Sequence, residues 1–285
     1  MIFFLKLLSR LPLSVLYILS DVLAWWARVI FKYRRETVFE NLKKSFPDKS
    51  EEEIKKIAKG FYTNLSDLVV ETLKAISIDK NDLASRVQFN NIEMLQDYLQ
   101  TKQSVIMIAI HQCNWEWMLL AGCIKLPFPI DAVYLKLNNP NMEKLMFETR
   151  SRFGGNPIPT TNALMEIMKR NRSTRAFAML ADQVPHKSVD KYWSTFLNQD
   201  TAFQLGTEQL PKLTKDPIIF MSMKRVKRGF YEVDMIKIAE PPYAKGRDFY
   251  IIESYKEVAE QLVKDHPTDW LWSHRRWKYK KPLYA

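Results

Sequence analysis

His111 and Glu116, with four residues between them in His-Gln-Cys-Asn-Trp-Glu, are the side chains in this chain best suited to moving a proton. A carboxylate that holds one imidazole nitrogen fixes the tautomer and raises the basicity of the other, which is what a general base for a hydroxyl requires. On one continuous helix the two residues would stand about 140° apart and point away from each other. They converge only if the histidine sits in a turn ahead of the helix. The local sequence supplies that turn. Val105 to Ile110 reads as a strand buried on both faces, the strand breaks at His111, and Asn114 is an N-cap for a helix with Glu116 in its first turn. A lone His-x4-Glu arises by chance; its place at a strand's end favours a site, because open α/β sheets gather chemistry there.

Two further polar groups fall at element ends. Ala181-Asp182-Gln183 follows the strand ending in Leu180, where an aspartate is either a turn residue or part of a site. Arg150, with Arg152 two positions on and Gly154-Gly155 behind, lies near a helix end. An arginine there meets the helix dipole, or holds an anionic group or oxyanion with its rigid fork of donors. The tail Trp270 to Lys281, WLWSHRRWKYKK, interleaves bases with aromatics and has no acid. Such a segment suits nucleic acid or a membrane surface, and the apolar N-terminus favours the membrane, with no nucleic acid expected.

The elements that must position these groups follow from periodicity. Ser50 to Lys74 is a helix, opened by a Ser50/Glu53 capping box and carrying an apolar stripe from Ile54 to Leu73, and it reads as scaffold rather than chemistry. A helical stretch from Glu36 to Ser45 precedes it, and a short helix from Ile92 to Gln100 leads into the first strand. Beyond the His111 turn, strands are expected at Ile130–Leu137, Ala176–Leu180, Ile218–Met223 and Tyr231–Ile238. Helices are expected at Asn141–Phe153, Asn162–Arg170, Leu205–Leu213 and Phe249–Lys264. Such alternation means an α/β fold, a mixed and partly parallel central sheet flanked by helices. Residues 1–31 are strongly apolar, but Lys6, Arg10, Asp21 and Arg28 interrupt them, so no uncharged run reaches the roughly 18 residues of a confident span. This leaves a weakly hydrophobic span or a helix in the headgroup region, and if it spans, Lys32, Arg34 and Arg35 put the rest in the cytoplasm. The division is therefore 1–35, a membrane-associated apolar helix, and 36–285, the catalytic domain.

The 285 residues carry a net charge of +11, drawing the chain to anionic surfaces such as acidic lipid or an acidic carrier. Two cysteines, Cys113 and Cys123, are too few for a disulfide framework or a thiolate metal site. Seven glycines and no Gly-rich phosphate loop make nucleotide binding a poor fit.

Taken together, the ordered blocks resemble the late lipid A acyltransferases of the lysophospholipid acyltransferase superfamily. Asn41-Leu42 with Phe46-Pro47 is similar to that family's N-terminal signature, and His111 to Glu116 to its catalytic histidine and acid. Tyr134 to Pro140 resembles the block preceding its functional arginine, here Arg150; Ala181-Asp182-Gln183 its aspartate block; His274 to Lys278 its C-terminal signature. Gln183-Val184-Pro185-His186 departs from the family's usual continuation and bears on acceptor identity. The resemblance implies a glycerolphosphate-acyltransferase-like fold and transfer of an acyl chain from a thioester of acyl carrier protein, or of coenzyme A, onto a lipid hydroxyl. The acceptor would be a lipid A precursor at the cytoplasmic face of a bacterial inner membrane, or alternatively lysophosphatidic acid or an aminolipid. It makes His111 the base, Glu116 its orienting acid, Arg150 an oxyanion or phosphate partner and Asp182 a positioning group. Asn114, Asn138, Arg152, Gln183, Arg275 and Arg276 would meet substrate. No metal or other cofactor is expected, since a thioester is already activated.

Overall fold

In the computed structural model, residues 2–170, 172–244, 246 and 248–281 are described. The chain opens with α1 (Ile2–Ser9) and α2 (Leu13–Trp25), separated at Pro12, and α2 runs on into a π-helical turn, Trp26–Ile30. Then come α3 (Arg35–Ser45), α4 (Glu51–Ala75), α5 (Lys80–Arg86), β1 (Val87–Asn90) and α6 (Met94–Gln100). The middle of the chain alternates: β2 (Val105–Ala109), α7 (Trp115–Lys125), β3 (Ile130–Tyr134), α8 (Pro140–Arg150), β4 (Asn156–Pro159), α9 (Ala163–Arg170) and β5 (Ala176–Leu180). A hairpin of β6 (Lys191–Phe196) and β7 (Gln199–Gln204) follows, then α10 (Gly206–Thr214), β8 (Ile218–Lys227), β9 (Phe230–Ala239) and α11 (Tyr250–Asp265).

Seven strands form the central sheet in the order β1-β9-β8-β2-β5-β3-β4, with β8 and β9 antiparallel and every other neighbouring pair parallel. The mixed sheet flanked by helices is the architecture expected from the alternation of elements. All five residues of β2 are buried, which suits a strand covered on both faces. Its side chains alternate between two cores: Ile106 and Ile108 face the layer containing α4 and α11, while Val105, Met107 and Ala109 face the layer containing α7. The register of β2 against β5 pairs Ala109 with Leu180. The residues two beyond each, His111 and Asp182, therefore leave the carboxyl edge of the sheet side by side.

Helix α4 keeps its capping box: Ser50 accepts from the Glu53 amide, and Glu53 accepts from the Ser50 N–H at 2.8 Å. Periodicity did not reveal α5, β1, β4 or the β6–β7 hairpin. Each is short, and β4 carries two prolines on an edge where no donor is needed.

The C-terminal segment differs most from its expected role. Trp270 and Trp272 are 1% and 0% exposed, and Arg276 is buried with its guanidinium 5.1 Å from the Phe203 ring centroid. Two bonds knit the segment to the His111 turn: Cys113 N–H donates to the Asp269 carbonyl and Leu271 N–H to the His111 carbonyl, both at 3.0 Å. Asn41 donates to the carbonyls of Trp272 and His274, at 2.9 and 3.0 Å, and Phe46 packs on Trp272. Aromatic residues read as a surface belt are instead the wedge that closes the core over the site.

Candidate active site

His111 stands in the turn between β2 and α7, its side chain 15% exposed. Its Nδ1 lies 2.6 Å from Asp182 Oδ1, and its backbone N–H donates to Asp182 Oδ2 at 3.0 Å. The Trp270 indole donates to the same Oδ2 at 2.8 Å. Burial alone would push the Asp182 carboxyl up; the imidazole, the His111 amide and the indole overcome this and hold it below its ordinary value. A charged, acceptor-only carboxylate at Nδ1 requires the proton on Nδ1 and leaves the lone pair on Nε2. Nε2 faces the Gln183 side-chain amide at 3.1 Å, which can donate to it. This is the tautomer a general base must have.

The turn is held from below as well. Cys113 adopts a left-handed conformation, φ 55°, which a non-glycine residue keeps only where its surroundings fix it. Asn114 is fully buried: its Oδ1 accepts the Trp117 N–H at 2.9 Å, capping α7, and its Nδ2 donates to Glu71 at 2.7 Å. Glu71 also accepts from the hydroxyls of Tyr17 and Tyr231, both at 2.7 Å, although burial pushes its carboxyl above the ordinary range. On the next turns of α4, Asp67 accepts from Arg225, and Asn64 donates to Asp269 at 2.7 Å.

The expected pairing of His111 with Glu116 is not what the structure contains. Glu116 accepts two bonds from Arg150, at 2.9 Å from Nε and 2.5 Å from Nη2, and no hydrogen bond joins it to His111 among the described residues. The reason is direction: Glu116 lies in the first turn of α7 on the side facing α8, whereas the carboxyl end of β5 brings Asp182 beside the ring. Arg150 packs 5.1 Å from the Tyr134 ring centroid, and the Tyr134 hydroxyl donates to Glu143. Burial disfavours the Arg150 charge, but Glu116 and its neighbours raise its pKa above the ordinary value, so a permanent ion pair stands beside the turn. Nη1 is the part of that guanidinium that Glu116 does not use.

The residues expected to meet substrate divide. Gln183 is at the imidazole. Asn114 has both ends engaged in holding the turn. Arg152 donates to the carbonyls of Ala75 and Ile78, at 2.5 and 2.9 Å, and so clamps the end of α8 to the end of α4 instead of standing open. Asn138 is an exposed loop residue and Arg275 an exposed tail residue, and among the described residues neither is hydrogen-bonded to the His111 turn. Arg276 is buried, and burial pushes its pKa down to about 10 despite Tyr255 and Asp182. Cys113 is no nucleophile: burial raises its thiol well above the ordinary value and it donates to the Met223 carbonyl. The cavity touching His111, lined also by Asn64, Trp115, Arg225 and Asp269, is about 10 Å³, room for roughly one water and not for an acyl chain.

Sequence comparison adds the decisive observation: residues 1–279 match the family model described as bacterial lipid A biosynthesis acyltransferase. The chain belongs to this family. It is thus an acyltransferase, as the ordered blocks suggested. Curated relatives are distant but nearly full length. A lipid A biosynthesis acyltransferase of Haemophilus influenzae is 22% identical over 95% of this chain and 84% of its own. Two Escherichia coli proteins, a lipid A biosynthesis palmitoleoyltransferase and a lauroyltransferase, are 24% and 23% identical, over 94% and 95% of this chain and 87% and 88% of theirs. Segments far apart in sequence meet here: Asp182 and Trp270 close on the His111 turn, and Asn41 and Phe46 hold Trp272 and His274 behind it.

Proposed function

We propose that this protein moves an acyl chain from the thioester of acyl carrier protein to a hydroxyl of a lipid A precursor at the cytoplasmic face of the inner membrane. The observation that carries the reading is the imidazole of His111, fixed at Nδ1 by Asp182 with Nε2 turned to the side-chain amide of Gln183. The acceptor hydroxyl takes the place of the Gln183 amide at Nε2. As its oxygen attacks the thioester carbonyl, Nε2 removes its proton and Asp182 stabilises the imidazolium. The tetrahedral oxyanion then collapses, the C–S bond breaks, and the departing thiolate takes the proton back from Nε2. Glu116 acts by holding Arg150, whose remaining Nη1 is offered to the oxyanion or to an acceptor phosphate. The reaction so written needs no metal and no cofactor, only the acyl thioester as co-substrate. A net charge of +11 suits both an acidic carrier and anionic lipid.

The test is mass spectrometry of lipids from cells producing the wild-type chain or His111→Ala. Wild type should add one acyl group to a lipid A precursor and the variant none, at equal protein level and melting temperature. A folded variant that still acylates would refute the base; an acyl gain confined to lysophosphatidic acid or an aminolipid would refute the acceptor.

A further inference from the structure

The segment Leu13–Ile30 is long and apolar enough to cross a bilayer by length and composition, 18 residues or about 27 Å as a helix. Its contacts argue against crossing. At its middle and at both flanks the chain is bonded to α4 and the turn after it. Lys74 and Ser77 reach the carbonyls of Ser9 and Leu11, Tyr17 donates to Glu71, Ser20 donates to Asp67 at 2.7 Å, and Tyr62 donates to the Tyr33 carbonyl at 2.8 Å. Asp21 and Asp67 share Arg228, which also donates to the Tyr17 carbonyl. These charges sit at the middle of the segment. A spanning helix would carry Asp21 to the bilayer centre, and would either drag α4 and the β8–β9 turn along or leave Asp67, Glu71 and Arg228 without partners.

The opposite face has the reverse character. Ile18, Val22, Trp25, Trp26, Val29 and Ile30 are all exposed, and the basic group Lys32, Arg34 and Arg35 follows. In front, α1 exposes Phe3 and Phe4 and lies against α8, with Lys6 3.7 Å from Glu148, beside the exposed Phe147. An apolar face with tryptophans and a cationic end matches the boundary of an anionic bilayer. We infer that α1 and α2 lie in the plane of the membrane, buried to one side only, and that the chain is monotopic with both ends of α2 on the cytoplasmic side. This rests on the membrane placement proposed above and specifies its geometry. The consequence is that α8, which carries Arg150, is held at the lipid surface, where an acyl chain can lie in bilayer and needs no internal channel.

Arg10, exposed between α1 and α2 and outside the catalytic machinery, reports the topology. In spheroplasts producing full-length Arg10→Cys, an impermeant maleimide should label no more than it labels the wild-type chain, which carries Cys113 and Cys123, and at least tenfold more once the membrane is opened. Equal labelling of intact spheroplasts, or no labelling in either sample, overturns the in-plane placement. In parallel, the purified full chain should sediment with vesicles containing phosphatidylglycerol, and Ile18→Ser/Val22→Ser should lower the bound fraction about tenfold at an unchanged melting temperature. A wild-type chain that stays in the supernatant, or a variant that binds as well, overturns the lipid as occupant. Lipid acylation in the same cells is read separately, so its loss with topology intact faults the reaction and not the placement.

Discussion

At the scale of single residues, the site turns on which carboxylate holds His111. Spacing along the chain nominated Glu116; register across the sheet selects Asp182, since Ala109 and Leu180 are paired and each strand delivers its polar residue two positions later. Both residues were visible in the sequence as polar groups at element ends, but strand order was not, because parallel pairing between β2 and β5 leaves no mark in either strand alone. The two carboxylates should fail differently. Asp182→Asn keeps the shape but places a neutral amide at Nδ1, and the wrong tautomer should lower acyl transfer roughly a thousandfold or more with little loss of substrate binding. Glu116→Gln instead takes the charged partner from the half-buried Arg150, a destabilisation of about 1–3 kcal/mol by urea titration. Equal rate losses with equal melting curves would contradict the division. His274 gives a pH signature. Its Nε2 accepts the Val184 N–H at 3.2 Å, and burial pushes its pKa down from 6.5 to about 4, with Asp182 opposing and Arg276 and His111 assisting. Between those values the unfolded chain binds the proton and the folded chain does not, so this residue's share of stability is intact above pH 6.5 and is lost as pH falls towards 4. Melting temperatures of wild type and His274→Gln, measured from pH 7 to pH 4, should converge on acidification; a constant gap would sink the assignment.

At the scale of elements, α4 carries more than its apolar stripe. Asn64, Asp67 and Glu71 recur at helical spacing beside that stripe and reach, in turn, the closing segment, Arg225 and the cap of α7. The signal was present as polar residues at i, i+3 and i+7, yet an exposed face of a surface helix looks the same in sequence; only packing against α2 and the β8–β9 hairpin distinguishes them. The tail misled for the complementary reason: tryptophans suit a buried wedge and a membrane belt equally. Asn114 tests the link between α4 and the turn. Asn114→Ala removes a helix cap, about 1 kcal/mol, and one of three donors to a buried carboxylate, a further 1–3 kcal/mol by the usual range. Asn114→Asp restores the cap but sets a second carboxylate against Glu71, so it should be no more stable than the alanine variant at pH 7 and should recover as pH falls. An aspartate variant as stable as wild type at pH 7 would show that Glu71 does not bear on the turn.

At the scale of the whole molecule, the N-terminal helices and the sheet share one polar seam, and this decides what removing them does. Deleting residues 1–31 would release a membrane anchor and leave a soluble catalytic domain only if the helix were an appendage. Leu16 and Ser20, however, are fully buried, Ala24 is 8% exposed, and Tyr17 supplies one of the three donors to Glu71, which in turn holds Asn114. Truncation therefore strips the cover from Asp67 and Glu71, two carboxylates in the interior, and takes from Arg228 both Asp21 and the Tyr17 carbonyl, leaving it Asp67. The truncated chain should aggregate or melt at least 10 °C below the full chain in detergent, with acyl transfer lost. Tyr17→Phe, which keeps every apolar contact and deletes one hydroxyl, should reproduce part of the effect, about 1–3 kcal/mol, while the protein remains on the membrane. A truncated chain that is soluble, melts with the full-length protein and still transfers acyl groups would mean that the seam is ornamental and that the helix serves only to find the lipid.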